Sequence, residues 1–405
     1  MSGANPEAFA SLLTLFMRRI RASAAGVAAE IGLSREAVNN WRNGVSLPNP
    51  RSRDKLAACA RYLRLTEGET NRLFAAAGCA PEYPLHSEHQ GRAPFAAFME
   101  RLLSQLAQST PYPITLLLSQ AHWGQPPFRQ ELLLRAKALY GADAVLHLQP
   151  PYSTSVAPAD YFAALGRQCG LGPVDSDCAF EALLEQRLLA GERLFCLVSR
   201  FEQGTPALRE ALAGILRSLG EMHGSRLHLL LCGGEALADL KYRSGDLSLL
   251  NIAQVQYWPE PELDDLALMA GARAPDLDWP PALLRSLLSA SGGHPALLDD
   301  GLQHLAATAC ASEPARLQTE LAASPRLWQS WLALAQHGAW LPRLQQLLQA
   351  SALGPARPYL QDDLLRALFW ANLVKTRPAE GGAQLHWRSE IVRATGLAVL
   401  QAATP

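Results

Sequence analysis

The chain lacks any uninterrupted apolar stretch long enough to cross a bilayer, which argues against a membrane partner. Its seven cysteines are scattered and form no Cys-x-x-Cys pair, so a disulfide framework is not expected and a reduced cytoplasm is. Ten histidines make no H-E-x-x-H cluster, and no metal is expected. No G-x-S-x-G elbow marks a hydrolase nucleophile. Nor does the start read as a signal peptide. Phe9, Leu12, Leu13, Phe16 and Ile20 fall at helical spacing, and arginines follow the apolar part instead of preceding it.

What is present is globular in character. At 405 residues, 49% hydrophobic and 18% charged, the chain should divide into two to four domains with filled cores. The net charge of −1 hides an asymmetry: residues 1–80 hold eleven Lys/Arg against six Asp/Glu, and the remainder 25 against 31. A basic head on an acidic body is expected where only the head meets nucleic acid.

Within the head, "SAAGVAAEIGLSREAVNNWRNGVSLP" (23–48) reads as two short helices around a tight turn. Ser23 and Ser34 are placed to cap them, Gly32 to make the turn, and Gly44 to close the second. Val27, Ala28, Ile31, Val38 and Trp41 face inward, with small Ala28 letting the helices cross closely. Through Ser23, Ala28, Gly32, Leu33, Ser34, Val38, Trp41, Gly44 and Pro48 the stretch resembles the lambda-repressor-like (Xre) helix-turn-helix family over about residues 6–78. That resemblance implies a second helix entering the major groove, with Ser34, Arg35, Asn39, Asn40 and Arg42 facing double-stranded DNA. Ala24 stands where the family often has glutamine, which removes one phosphate contact. Sites for such heads are usually read by dimers, so a homo-oligomer is expected.

A linker rich in proline and polar residues (80–94) leads to a helix at 95–109 and then to strand-helix alternation. Strand-like runs lie at 114–119, 144–149, 193–199, 226–232 and 252–258, with helical runs at 128–139, 158–169, 178–189, 206–222 and 234–241. This order predicts a parallel sheet covered on both faces. With "SGGHPALL" (291–298), it resembles the STAND branch of the AAA-type ATPases, whose helical lid carries a Gly-x-Pro motif near the nucleotide, here Gly293 and Pro295 around His294. The resemblance spans about residues 95–400 and implies an α/β P-loop-NTPase-like core.

The nucleotide motif itself is altered. A phosphate loop needs G-x-x-x-x-G-K-[ST], whose backbone N–H groups and lysine hold phosphate and whose hydroxyl holds magnesium. Aligning Gly124 as its second glycine puts Ser119 at the first, Gln125 at the lysine and Pro126 at the hydroxyl. Proline brings no N–H to such a cradle. Arg129, a helical turn past the lysine position, is expected to point away. Where the next strand should end in a magnesium-binding Asp and a water-polarising acid stand Ser199 and Arg200, with Glu202 two residues on. On these residues the chain is expected not to be an enzyme, and no cofactor is expected, ATP or ADP being disfavoured.

The last part offers three helical runs, two strand-like arms around Gly381 and Gly382, and a closing helix from about Glu390 to Gln401. It resembles the winged helix that follows the lid in STAND proteins. Acidic Asp362 and Asp363 and apolar Phe369 and Trp370 point to packing within the chain, while Lys375, Arg377 and Arg388 leave a weaker DNA contact open.

The expected architecture is therefore multidomain: an all-α helix-turn-helix head (1–79), a linker (80–94), an α/β parallel-sheet core (95–260), a helical lid (261–312) and a winged-helix C-terminal domain (313–405). The expected function is a DNA-binding regulator or signalling hub, of the kind the resemblance implies for bacterial stress or defence. Its inactive body would oligomerise or sense a protein partner from the same system. Two alternatives stand beside it: an active ATP-dependent, DNA-associated switch such as a transposition-type ATPase with an unusual phosphate loop, and a docking scaffold that binds no DNA.

Overall fold

The five apolar runs of the middle of the chain form a single sheet. In the computed structural model the chain divides into two units, Met1–Gly91 and Arg92–Pro405. The structure describes residues 6–20, 22–48, 53–63, 65, 67–79, 93–109, 111–123, 126–244, 247–311, 313–356, 361–380 and 382–403. Most of the expected linker, together with Gly124, Gln125 and Gly381, lies outside them.

The smaller unit is helical: α1 (Pro6–Arg19), α2 (Ala24–Ile31), α3 (Arg35–Arg42), α4 (Arg53–Tyr62) and α5 (Glu67–Ala76). Ser23 accepts from the Gly26 N–H at 3.0 Å and Ser34 from the Ala37 N–H at 3.1 Å, so both serines cap the helices they precede. Between them Gly32 adopts φ 62°, the left-handed region that an L side chain enters at a cost. Its N–H bonds back to the Ala28 carbonyl, closing α2. Val27, Ile31, Val38 and Trp41 join Phe9, Leu13, Leu56 and Phe74 in one core. Trp41 meets Phe9 edge-on with ring centroids 6.1 Å apart.

In the larger unit α6 (Ala96–Gln108) and β1 (Ile114–Leu118) lead into α7 (Pro126–Tyr140), β2 (Val145–Leu148), α8 (Pro158–Gln168), α9 (Asp177–Leu189), β3 (Leu194–Ser199), α10 (Pro206–Met222) and β4 (Leu227–Gly233). Two short helices, α11 (Glu235–Asp239) and α12 (Ser248–Ile252), precede β5 (Gln254–Tyr257). The sheet order is β2-β3-β4-β1-β5 and every pairing is parallel. Period-two alternation sorts the strand side chains between two cores. Leu117, Phe195, Leu197 and Leu230 meet α6 and α7 on one face. Leu116, Leu118, Cys196, Val198, Leu229 and Leu231 meet α8, α9 and α10 on the other. Both faces being covered explains why these strands read as continuous apolar runs.

A third core gathers α13 (Leu263–Arg273), α14 (Pro281–Ser291), α15 (Pro295–Ala307), α16 (Pro314–Ala322), α17 (Pro325–Ala335), α18 (Leu341–Gln349), α19 (Asp363–Trp370) and α20 (Glu390–Ala403). With them goes a three-stranded antiparallel sheet of β6 (Ala352–Pro355), β7 (Val374–Arg377) and β8 (Gln384–Trp387), ordered β6-β8-β7. β7 and β8 are the two arms expected around Gly381 and Gly382, whereas β6 is an addition, a short strand containing Gly354 and Pro355.

Backbone packing is tightest at Gly292, which ends α14 in the left-handed region at φ 62°, where an added Cβ would overlap the Arg388 carbonyl. Gly170, which follows α8, is also left-handed, at φ 63°, but open space surrounds it. Gly292→Ala should therefore destabilise the larger unit by at least about 3 kcal/mol, and Gly170→Ala by only about 1 kcal/mol. Urea unfolding followed by tryptophan fluorescence checks the difference, and equal losses would contradict the packing described.

Candidate functional site

Where β1, β3 and β4 end, the sheet opens into a cavity of about 580 Å³. This is the edge at which open parallel sheets take ligands, and here the chain order also reverses between β1 and its neighbours. From β1 the wall is the loop Ser119–Trp123; from β3, Ser199, Arg200 and Glu202; from β4, Cys232, Gly233 and Gly234. Arg129 and Leu132 of α7, Glu235 at the start of α11, Trp258 after β5, and Ala367, Trp370 and Ala371 at the end of α19 complete it.

The wall is chemically mixed. Trp123, Trp258 and Trp370, each nearly buried, are among its lining residues. Arg129 and Arg200 bring positive charge to it, and among the described residues neither guanidinium has a carboxylate partner. Arg200 holds φ 63°, an unfavourable backbone for a residue with a side chain. Both arginines act on His147 of β2. Burial pushes its ring down to about 4, helped by repulsion from Arg129, Arg200 and Lys137. At neutral pH His147 is therefore uncharged. Its Nε2 lies 2.9 Å from Ser199 Oγ, which also accepts from Gln149 Nε2 at 3.3 Å.

Glu202 places one carboxylate oxygen, Oε2, fully buried with no hydrogen-bond partner among the described residues. It sits against the end of β4, where an added Cβ on Gly233 would lie 3.2 Å from it. A carboxylate so placed can orient or deprotonate a water. A divalent cation is a different matter. The position expected to carry an aspartate carries Ser199, whose hydroxyl is already engaged by His147 and Gln149, and Arg200 follows it. These residues do not fit magnesium.

The loop after β1 is held from outside the sheet. Ser119 donates its N–H to the Gly233 carbonyl at 2.8 Å, continuing the β1–β4 ladder. Ala121 donates to the Trp370 carbonyl at 2.8 Å, and its own carbonyl accepts from Asn372 Nδ2 at 2.7 Å. Gln120 Nε2 donates to the Phe369 carbonyl at 2.7 Å. Behind it lies Arg388, whose side chain has no solvent exposure. Its guanidinium donates to Glu260 Oε2 at 2.7 Å and Oε1 at 3.0 Å, to Asn372 Oδ1 at 2.6 Å, to Gln120 Oε1 at 3.0 Å and to the Gly292 carbonyl at 3.3 Å. All five N–H donors are thereby satisfied.

The structure brings together some of the residues singled out in the sequence and separates others. Ser119, Ser199 and Arg200 line the cavity. Pro126 begins α7, with its side chain outside the described set, as Gly124 and Gln125 are entirely. Gly293 and Pro295 do not line the cavity: Gly293 packs against Glu260 and Pro261, and His294 caps α15 from a fully buried position. In the smaller unit Ser34, Arg35 and Arg42 are exposed on α3, and Asn39 and Asn40 are half-buried. Arg388, read as a residue free to meet DNA, is buried, and Lys375 is half-buried and bonds the Gly292 carbonyl at 3.1 Å. Arg129, expected to point away, lines the cavity. Helix α7 begins at Pro126, so Arg129 lies in its first turn, where side chains lean back toward the N-terminus and the strand ends. The aromatic wall was not foreseen. Its only sequence sign is three tryptophans following apolar runs.

Comparison with known proteins finds no family model and no curated protein that matches. Solved structures do match. A Walker-type ATPase of Pyrococcus abyssi is 12% identical with a TM-score of 0.50, covering 76% of this chain and 98% of its own. The ORC2 protein of Aeropyrum pernix is 13% identical with a TM-score of 0.41, covering 80% and 95%. Cdc6p of Pyrobaculum aerophilum is 16% identical with a TM-score of 0.38, covering 80% and 96%. The likeness to the first shows the fold: the larger unit has the fold of a Walker-type ATPase. It overturns the expectation that the chain is not an enzyme. That expectation weighed a few letters at the loop and at the end of β3, whereas the sheet, its covering helices and the strand-end cavity are set by apolar residues that are all present.

Two outcomes follow for the site. Glu260→Ala leaves the Arg388 charge buried without its partner and should cost about 3 kcal/mol, read from urea unfolding; a loss under 1 kcal/mol would contradict the described network. The second concerns pH. His147, held down to about 4, binds its proton less readily folded than unfolded. Its contribution to stability is thus complete above the ordinary histidine value and is lost as pH falls toward 4. Denaturation between pH 7 and 4 should show a shallower decline for His147→Gln than for the parent.

Proposed function

We propose that the protein is a DNA-associated switch in which a helix-turn-helix head is joined to an ATPase-type body that binds a nucleoside phosphate. The observation that carries this reading is the strand-end cavity, whose wall includes three tryptophans and two arginines that have no carboxylate partner among the described residues. Flat aromatic surface suits a base and guanidinium groups suit phosphate. The fold of the body supports the same class.

The DNA half rests on α3. Val38 and Trp41 anchor it inward, Ser34 caps its start, and Arg35 and Arg42 face solvent. Asn39 pairs with adenine and Arg42 with guanine or phosphate in such a helix, and Ser34, Arg35 and Asn40 flank them. A homo-oligomer places two such helices on one duplex. The C-terminal helices with β6, β7 and β8 form a winged-helix domain that packs within the chain through α19.

Selection of bound duplexes from a random pool, followed by footprinting, tests the reading. Asn39→Ala with Arg42→Ala should weaken the selected site at least tenfold while leaving the melting of the body unchanged. ADP or ATP at millimolar concentration should raise that melting temperature. Full retention of DNA affinity by the double variant removes α3 as the reading helix. No thermal shift with any nucleotide removes the nucleoside phosphate.

A further inference from the structure

Resting on the nucleoside-phosphate reading, we propose that Arg129 and Arg200 clamp the phosphate chain of a nucleoside di- or triphosphate, replacing both lysine and divalent cation, so that binding needs no metal.

Three observations lead here. The first is position: Arg129 comes from the first turn of α7 and Arg200 from the turn after β3, so two separate elements bring guanidinium groups to one cavity. Both also act electrostatically on His147, which places the two charges in one neighbourhood. The second is their lack of carboxylate partners among the described residues. Other arginines of the larger unit are engaged by acids, as Arg135 is with Glu131 and Arg388 with Glu260, or by backbone carbonyls, as Arg226 is with Leu188. The third is the poor fit of magnesium at the end of β3: where an aspartate was expected stands a serine bonded to a neutral histidine, an arginine follows it, and the carboxylate comes only at Glu202.

The chemistry is direct. Each guanidinium offers a planar fork to phosphate oxygens, and charge-assisted hydrogen bonds of this kind are about twice as strong as neutral ones. In a site that uses magnesium, two positive charges from the metal and one from lysine face the phosphates. Two arginines supply two positive charges from the protein itself. Tryptophan surface in the same cavity distinguishes a nucleoside phosphate from a bare anion.

Calorimetric titration of the full chain with ADP, ATP and tripolyphosphate, each with magnesium or with EDTA, tests this. The nucleotide dissociation constants should stay within about threefold when EDTA replaces magnesium. Arg200→Gly keeps the left-handed turn and removes the guanidinium. Combined with Arg129→Ala it should weaken ADP and ATP at least thirtyfold, with thermal unfolding preserved. Arg129→Lys with parental Arg200 should lose less than Arg129→Ala. Tripolyphosphate should bind more weakly than ATP and be lost in the same double variant. Nucleotide binding that requires magnesium, or that survives the double substitution, overturns the clamp while leaving the nucleotide reading in place. Tripolyphosphate binding as tight as ATP overturns the nucleoside part. Absence of binding by the parent chain under every condition removes the nucleotide reading itself.

Discussion

One buried guanidinium ties the larger unit together. Arg388, just past β8, reaches the loop after β1 through Gln120, the segment after β5 through Glu260, the turn ending α14 through the Gly292 carbonyl, and the end of α19 through Asn372. A charge taken out of water is costly unless every donor is met, and here every donor is met by a different or bidentate acceptor. That requirement explains several local choices. Gly292 must be glycine because a side chain there would strike the Arg388 backbone. Asn372 tolerates its own φ of 65° because asparagine enters the left-handed region more readily than most residues. Removing the arginine would release these elements from one another at once, although none is adjacent in sequence.

The cavity owes its shape to that arrangement. Its floor is the parallel sheet, which any apolar sequence of the right period could supply, but its side wall is Trp370, delivered by α19. Phe369 and Trp370 meet Tyr257 with ring centroids 6.0 Å and 6.4 Å away, and Trp370 belongs to the core under the sheet. The C-terminal helices are thus partners of the sheet and also walls of the space at its edge. Chemically, that space joins tryptophans, two arginines without carboxylate partners among the described residues, and the carboxylates of Glu202 and Glu235.

How much of this was legible in the sequence depends on the kind of residue involved. Strands and helices were legible because burial imposes periodicity: the runs at 114–119, 193–199 and 226–232 fall on β1, β3 and β4. Caps were legible for a local reason, since Ser23 and Ser34 need only the next turn to satisfy their oxygens. The site was harder. Reading Arg129 outward assumed a helix continuing from a consensus loop, and the first-turn lean of its side chain reversed the outcome. Arg388 was read as a surface cation because sequence gives no sign that Glu260, 128 residues away, would meet it. Convergence across such separations leaves no periodic trace. The negative reading of catalysis failed similarly: it judged a fold by residues that decorate it.

The hydrogen bonds around Ala121 carry a consequence for how the cavity can respond. Ala121 lines the cavity and is bonded through both its N–H and its carbonyl to the end of α19. Trp370, which accepts one of those bonds, is itself part of the cavity wall. A ligand that presses on the loop therefore strains contacts to α19, and one that stacks on Trp370 reinforces them. Linkage makes the effect reciprocal: whatever shifts α19 alters affinity in the cavity by the same factor by which occupancy alters the docking of α19. Because Gln120 lies next to Ala121 and bonds Arg388, the same strain reaches Glu260 and Gly292 through fully satisfied, short-range hydrogen bonds. Buried networks of that kind move as a unit or not at all, since a half-broken one leaves an uncompensated charge.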